Sequence, residues 1–340
     1  MFGIIKNLFR KKQPEPMMKL IGYPQATVVR RANLKSQDTI DWGLEAMGIP
    51  ELWKITQGEG VKVAILDTGI AADHPDLKDA IVAAKDFTGS KSGFLDRQSH
   101  GSHCAGIVGA RNNGVGVIGV APKCQFIIGK VLGDNGSGQY EWIEQGMYWA
   151  LEQGADIISM SLGGPVGTPA LEKACKEVMK KAILICAAGN SGSGGWGESD
   201  TIGFPGAYPG VICVGSINSH KDRSQFSSVG KNLSVMAPGE NILSCVPPDK
   251  YARYSGTSMA TPFVAGVAAL ILSKHRQHGG GTPCESQAEM FSHLTKVAVD
   301  TGDPGWDSKN GWGIINPKES IAAEHTFGER LRMYLSITEG

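Results

Sequence analysis

The sequence predicts a single α/β domain in which a doubly wound, mostly parallel sheet carries helices on both faces. Short, almost continuously apolar runs alternate along the chain with longer runs whose apolar residues have helical spacing. Continuous apolar runs are typical of parallel strands that are buried on both sides. The alternating order requires right-handed crossovers, and it places a site at the carboxyl ends of the strands.

The apolar runs that predict buried strands cover residues 61–66, 125–132, 155–162, 182–188, 211–217 and 233–238. Helical spacing predicts helices over 140–154, where Gly154 supplies a stop signal, and over 169–181. In residues 254–275 the turn "SGTS" leads into an apolar helix with Ser258 in its first turn, and Pro262 inside that helix lowers its intrinsic stability. Packing, rather than propensity, must therefore place that proline.

Composition excludes several classes of function. The chain of 340 residues is long enough to bury a large core, and its 33 basic residues balance its 33 acidic ones. A balanced charge gives no reason to expect nucleic acid as a partner. The seven cysteines form no CxxC or other metal-ligand spacing, so we expect reduced thiols in a cytoplasmic protein.

The chain is predicted to comprise a leader, residues 1–36, a body, residues 37–318, and a tail, residues 319–340. The basic cluster at the start follows the apolar residues, the reverse of a secretory signal, and we expect no membrane span. Residues 2–12 suit either a basic amphipathic helix at a membrane surface or a solvated tail. The C-terminal tail suits either a homodimer contact or a surface helix.

Three polar motifs stand at the ends of predicted strands or the starts of helices. Asp67 ends the strand in "VAILDTG", a pattern that also suits a ribose contact, but the GxGxxG turn of such folds is absent. "QSHGSHCAG" contains His100, His103 and Cys104, which fit a metal site, a catalytic base or ordinary helix histidines. Ser258 in "SGTSMATP" lies at a helix start, where it is either a cap or a nucleophile close to backbone N–H groups.

The order of these motifs, "DTG", "HGSH" and "GTSMATP", resembles the subtilisin-like serine protease (subtilase) family from residue 38 to about residue 316. The resemblance implies that Asp67, His100 and Ser258 form a catalytic triad that acts through an acyl-enzyme. It also implies that the side-chain amide of Asn190 in "AAGN" helps to hold the oxyanion, although such an asparagine alone would indicate a left-handed loop residue. A zinc site would need further ligands, and none follows from the sequence.

The resemblance further implies two segments that pair with the backbone of a polypeptide substrate. With the walls of two side-chain pockets, the implied substrate-binding residues are Gly136, Ser137, Gly138, Tyr140, Ser161, Leu162, Gly163, Gly164, Ala188, Gly189 and Gly203. Ser191 stands where some relatives have an acidic residue. An uncharged, roomy pocket of this kind favours large apolar residues over basic ones before the scissile bond.

The segment "ARNNGVGVIG" corresponds to the calcium loop of the family. The implied ligands of Ca²⁺ are side chains or carbonyl oxygens of Asp38, Asp76, Arg111, Asn113, Val115 and Val117. Mixed oxygen donors of this kind suit Ca²⁺. At the weaker cation site of the family, Asn232 and Ser234 replace residues that are often acidic.

The leader segment "KLIGYPQ", residues 19–25, resembles the "LIPY" segment in the short leader of intracellular subtilisins. Gly22 stands where that motif has proline, and Pro24 follows two residues later. The hypothesis is that the leader inhibits the enzyme until proteolysis removes it. Two alternatives stay open, namely a processing protease for one precursor and an inactive binding protein with the same fold.

Overall fold

The computed structural model describes residues 17–20, 27–29, 38–192, 200–278 and 284–322. Its strands are β1 (Met17–Leu20), β2 (Thr27–Val29), β3 (Lys62–Asp67), β4 (Ile81–Asp86), β5 (Gln125–Lys130), β6 (Ser137–Gln139), β7 (Ile157–Met160), β8 (Leu162–Gly163), β9 (Ile183–Ala187), β10 (Ile212–Ile217), β11 (Val235–Pro238), β12 (Ile242–Val246) and β13 (Lys250–Tyr254). Its helices are α1 (Trp42–Ala46), α2 (Ile49–Leu52), α3 (His100–Gly109), α4 (Tyr140–Glu152), α5 (Pro169–Met179), α6 (Thr257–His278), α7 (Gln287–Lys296) and α8 (Pro317–Ala322).

A seven-stranded parallel sheet in the order β11-β10-β9-β7-β3-β5-β4 forms the centre. This confirms the predicted α/β fold, and all six predicted strands are present with shifted ends. The sequence argument missed β4, because this strand lies at the sheet edge and its residues are mostly half-buried rather than continuously apolar. An edge strand does not need the continuous apolar run that predicts a central one.

Helices cover both faces of this sheet. Side chains of β3 alternate between two apolar clusters, since Val63 and Ile65 belong to one and Ala64 and Leu66 to the other. Helices α3 and α6 pack on the first face, and α4 and α5 pack together on the second. The alternation follows from the period of two along a strand, and it buries β3 completely enough to fix the position of its last residue, Asp67.

Helix α6 runs through the core. The expectation that no segment is long and apolar enough to span a membrane is wrong for residues Thr257–Gln277 by length and composition. Burial within the protein accounts for this apolar character, since 94% of the window is buried. A central helix of a large α/β domain needs apolar residues on all sides for the same reason.

Among the described residues, two three-stranded sheets accompany the central sheet. Strand β1 lies between β6 and β8, antiparallel to both, and β2 adds to the β12–β13 hairpin. Of the leader, only β1 and β2 are described, so Gly22 and Pro24 lie outside the described residues. The tail is described only to the end of α8, so the predicted homodimer contact stays a prediction.

Candidate active site

Asp67 and His100 meet at the carboxyl end of β3. Nδ1 of His100 lies 2.9 Å from Oδ1 and 3.0 Å from Oδ2 of Asp67, and both side chains are buried. The backbone N–H of Thr68 donates to Oδ1 of Asp67 at 2.7 Å and so fixes the carboxylate. Nε2 of His100 is buried, and it has no hydrogen-bond partner among the described residues. The imidazole is therefore held by one nitrogen and presents the other.

The start of α3 is built to bring His100 close to β3. A Cβ on Gly101 would lie 2.3 Å from the carbonyl oxygen of Gly69, so only glycine permits this contact. The buried carboxylate of Asp96, which sequence reasoning missed, accepts from the N–H of Ser99 at 2.8 Å and from Oγ of Ser102 at 2.6 Å. An aspartate three residues before the N-cap of a helix, here Ser99, is the signal that could have found it.

Ser258 lies in the first turn of α6, and Pro262 explains which groups donate to the carbonyl oxygen of Ser258. Proline has no N–H, so the carbonyl of Ser258 receives no bond from residue 262 in the usual helical pattern. Instead, Oγ of Ser161 donates to this carbonyl at 2.8 Å, and Sγ of Cys104 donates at 3.4 Å. The carbonyl of Ser258 therefore accepts from these two side chains, which join the start of α6 to α3 and to the residue that follows β7.

The same contacts bring Ser258 next to the Asp67–His100 pair. Sγ of Cys104 lies 3.7 Å from Nδ1 of His100 and also contacts the carbonyl of Ser258. Oγ of Ser258 donates to the carbonyl oxygen of Ser161 at 3.4 Å. Cys104 thus links the backbone of Ser258 to the buried Asp67–His100 pair.

Asn190, directly beyond the loop after β9, is held by the start of α6. Its Oδ1 accepts from the N–H of Thr257 at 2.9 Å and from Oγ1 of Thr257 at 3.1 Å. Oγ1 of Thr257 also accepts from the N–H of Gly189 at 3.1 Å. Because the amide oxygen faces Thr257, the NH₂ group of Asn190 is turned to the opposite side.

His103 has a different role from His100. Its Nε2 lies 3.1 Å from the carbonyl of Ile242 and 3.0 Å from that of Ala252, so it donates to backbone and packs on Tyr254. Burial, with the nearby His100, lowers the pKa of His103 to about 3. Burial opposes the charged form of His100 too, but Asp67 and Cys104 outweigh it and raise the pKa of His100 well above its ordinary value.

The predicted backbone-pairing segments line a cleft beside this cluster. Strand β6 contains Ser137 and Gly138, β8 contains Leu162 and Gly163, and β1 of the leader fills the space between them. Met18 of β1 pairs with Gly138 and is completely buried.

Met18 belongs to the same apolar cluster as Tyr140, Ile143 and Leu162. A Cβ on Gly164 would lie 3.5 Å from its sulfur and 2.7 Å from the hydroxyl of Tyr140. Tyr140 and Gly164 thus border the space that Met18 fills.

A cavity of about 480 Å³ opens at the end of this cleft. Its lining comprises Gly163, Gly164, Pro165, Gly189, Asn190, Ser191, Asp200, Thr201, Ile202 and Gly203. Two expectations need correction. Ala188 is fully buried and outside this lining, where its carbonyl accepts from the N–H of Gly203 at 2.9 Å. The lining is also not free of charge, because it includes Asp200, whose carboxylate accepts from the N–H groups of Ile202 and Lys231.

A model of the subtilase family matches residues 58–313 of the chain. The chain belongs to the subtilase family. The intracellular serine protease of Paenibacillus polymyxa is 47% identical over 285 residues, which cover 82% of this chain and 86% of that protein. The major intracellular serine protease of Bacillus subtilis is 44% identical over 287 residues, 82% of this chain and 89% of that protein. Subtilisin DY of Bacillus licheniformis is 45% identical over 261 residues, which cover 76% of this chain and 90% of that protein. This subtilase is therefore an enzyme, a peptidase that acts on polypeptides.

The subtilase also brings the predicted calcium ligands together away from the cleft. Oδ1 of Asp76 accepts from Nδ2 of Asn113 at 3.0 Å, and Oδ2 accepts from the N–H of Val117 at 3.1 Å. Oδ2 of Asp38 accepts from the N–H of Gly114 at 2.9 Å, whereas its Oδ1 is buried without a hydrogen-bond partner among the described residues. The N–H of Arg111 donates to the carbonyl of Asp76 at 2.9 Å.

Two carboxylates that both bind one loop, together with an amide oxygen and the carbonyl groups of that loop, form a donor set that fits Ca²⁺. The carbonyls of Arg111, Val115 and Val117 belong to the loop that Asp76 holds. Val115 donates its N–H to Oδ1 of Asn113 at 3.1 Å, which closes the loop on itself. At the weaker cation site, Asn232 and Ser234 are both engaged in hydrogen bonds to protein carbonyls.

Proposed function

We propose that this subtilase hydrolyses peptide bonds through an acyl-enzyme formed on Ser258. His100 takes the proton of the Ser258 hydroxyl as the hydroxyl oxygen attacks the scissile carbonyl, and returns it to the leaving amine. Asp67 keeps the proton of His100 on Nδ1, so that Nε2 is the basic nitrogen, and it stabilises the imidazolium that forms. Water then releases the acyl group by the same steps.

The oxyanion of the tetrahedral intermediate is stabilised by the NH₂ group of Asn190 and the backbone N–H of Ser258. The bonds from Thr257 to Oδ1 of Asn190 support this assignment, because they orient the amide before substrate arrives. A donor that is oriented in advance stabilises developing charge without a cost of reorganisation.

The observation that carries the proposal is the Asp67–His100 contact, which leaves Nε2 of His100 buried and without a hydrogen-bond partner among the described residues. A fluorophosphonate probe tests it, since such probes react with an activated serine. After removal of the leader, the probe should label Ser258, as identified by peptide mass, and Ser258→Ala should abolish labelling. Ser273→Ala, a substitution in the same helix, should retain it. An unlabelled enzyme would favour the alternative of an inactive binding protein.

The cavity at the end of the cleft supports a preference for large apolar residues before the scissile bond. Glycines form much of its wall, which leaves room for an aromatic ring, and the carboxylate of Asp200 is already engaged by two N–H groups. Peptide nitroanilides that end in Phe or Leu should be cleaved faster than the Lys equivalent. Asp200→Asn should change this ratio little, whereas a strong preference for Lys would refute the assignment.

The leader is proposed to inhibit the enzyme by lying in its cleft. Support comes from β1, which pairs with both substrate-binding strands and fills an apolar pocket with Met18. The full chain should hydrolyse a short peptide slowly, and cleavage after Val29 of the folded protein should raise the rate. Equal rates from the first minute would exclude inhibition by the leader.

The Asp38–Asp76 region is proposed to bind Ca²⁺. The buried Oδ1 of Asp38 supports this, since it has no hydrogen-bond partner among the described residues, and an isolated buried carboxylate oxygen is costly unless a cation compensates it. Asp38, Asp76 and Asn113 would supply side-chain oxygens, and the loop would supply carbonyls. When bound, the ion would tie the start of the body to this loop and stabilise the fold.

A role in general protein turnover in the cytoplasm is proposed from the two relatives that are named intracellular serine proteases. The seven cysteines are all buried, as expected for a reduced protein. Cleavage of a whole-cell protein extract tests the role. Many products without one dominant motif would favour turnover, whereas a single dominant product would favour a processing protease.

A further inference from the structure

The leader contacts the body along two separate strand edges. Strand β1 lies in the cleft, and β2 pairs antiparallel with β13, with Val29 opposite Tyr251 and Thr27 opposite Arg253. Residues 21–26 separate the two strands. A single extended polypeptide that runs through the cleft can therefore also reach the edge of β13.

The edge of β13 lies on the downstream side of Ser258. Strand β1 ends at Leu20, which pairs with Leu162, next to Ser161. The carbonyl of Ser161 accepts from Oγ of Ser258. The end of β1 therefore lies next to the segment that contacts the nucleophile, and β2 comes later along the chain. A substrate that runs in the same direction would bring residues after its scissile bond to β13.

Body residues hold β13 in place independently of the leader. Strand β12 pairs with its other edge, and Oη of Tyr251 donates to Asp76 at 2.9 Å. Arg253 forms an ion pair with Asp41 at 2.9 Å. The carbonyl of Ala252 accepts from His103 at 3.0 Å. The edge should therefore persist when the leader leaves, and its N–H and C=O groups would then need new partners.

We propose that the edge of β13 is an exosite that pairs with an extended segment of a polypeptide substrate downstream of the scissile bond. This inference rests on the proposed function. The partner is an unfolded chain of almost any sequence, because pairing along a strand edge uses main-chain hydrogen bonds. Such an exosite would favour long unfolded chains over short peptides.

Peptides that share one cleavable sequence, but carry four or twelve residues after the scissile bond, test the proposal. The protein is folded as the full chain, with a recognition sequence for a site-specific endopeptidase between Val29 and Asp38, and the leader is then cut and removed. We expect kcat/KM to be about tenfold higher for the longer peptide, mainly through a lower KM. Equal values for the two peptides would overturn the proposal.

N-methylation of the substrate supplies a matched control, because it removes main-chain donors and leaves the enzyme unchanged. Methyl groups on the sixth to eighth downstream residues should abolish the gain, whereas methyl groups on the tenth to twelfth should not. A gain that survives methylation of the sixth to eighth residues would place the extra contact elsewhere and overturn the proposal.

Binding to Ser258→Ala protein, prepared in the same way, separates this inference from the proposed function. Fluorescence anisotropy of labelled peptides should give a Kd about tenfold lower for the longer peptide. If the wild-type enzyme cleaves neither peptide while this ratio holds, the proposed function fails and the exosite stands. If cleavage occurs and both Kd values are equal, the exosite alone fails.

Discussion

Replacing Met18 by alanine should release the leader from the cleft and raise the activity of the full chain. Met18 is completely buried beside Tyr140, whereas its neighbour Met17 is 42% exposed. Burial of a methionine side chain contributes roughly 1.5–3 kcal/mol, and alanine retains little of it. If the free energy that holds the leader in the cleft falls by about 2 kcal/mol, the ratio of bound to released leader falls about 30-fold.

The assay is the initial rate of hydrolysis of a four-residue chromogenic peptide by freshly purified full chain. Gel analysis at each time point confirms that the leader is still attached. Met18→Ala should raise this rate about 30-fold while the inhibited form predominates in the wild type. Met17→Ala is the matched control and should change the rate less than about threefold, because an exposed side chain loses little on truncation.

The result that would refute the reasoning is a rate for Met18→Ala that is no higher than the rates of the wild type and of Met17→Ala. The pocket beside Tyr140 would then not hold the leader, even if the leader still inhibits. A rate that rises equally in both variants would instead indicate a general loss of leader structure. The Met18 contact is therefore tested separately from inhibition itself.

The remaining predictions concern the reacting groups, the second histidine and the cation site. Asn190→Ala should lower kcat by about 100- to 1,000-fold with little change in KM, a magnitude established on subtilisin, a member of the same family; an unchanged kcat would contradict its role. Because His100 must be neutral to act and its pKa is raised, kcat/KM should fall with decreasing pH through a midpoint above 6.5, and a midpoint below 6.5 would oppose this. His103 is neutral in the fold, with its pKa lowered from 6.5 to about 3, so the unfolded chain binds the extra proton as pH falls below 6.5. Between pH 7 and pH 5, the free energy of unfolding measured with urea should therefore fall by about 2 kcal/mol because of this group, and His103→Gln should remove that fall. Chelation with EDTA should lower the Tm measured by calorimetry, and Asp38→Ala should abolish that effect; a Tm unaffected by EDTA would exclude the Ca²⁺ proposal.

Much of the central sheet could be predicted because its strands are buried on both faces. Almost continuously apolar runs such as "VKVAIL" and "AILICAA" are typical of strands of this kind. The β12–β13 hairpin was not predicted, although its residues are almost all buried. Its strands are short and contain Ser244 and Arg253, whose partners lie on distant segments, so no local pattern distinguishes them from a loop.

The site shows the same division. Local sequence indicates that Asp67 ends a strand and that Ser258 starts a helix, and the family resemblance assigns their roles. Sequence did not indicate that Asp96 holds the start of α3, or that Pro262 leaves the Ser258 carbonyl for Ser161 and Cys104. These contacts join segments that are far apart along the chain, so they depend on how the helices pack.

By itself, the sequence determined the six central strands and the helices over 140–154 and 169–181, because apolar periodicity acts over a few residues. The class of chemistry followed from the resemblance of the motifs to the subtilase family. Only the tertiary structure decided that His103 serves backbone carbonyls while His100 faces Asp67, that Ala188 lies behind the cavity, and that the leader pairs with both β6 and β13. The physical reason is that these contacts follow from the crossovers and packing that bring distant strand ends to one edge of the sheet.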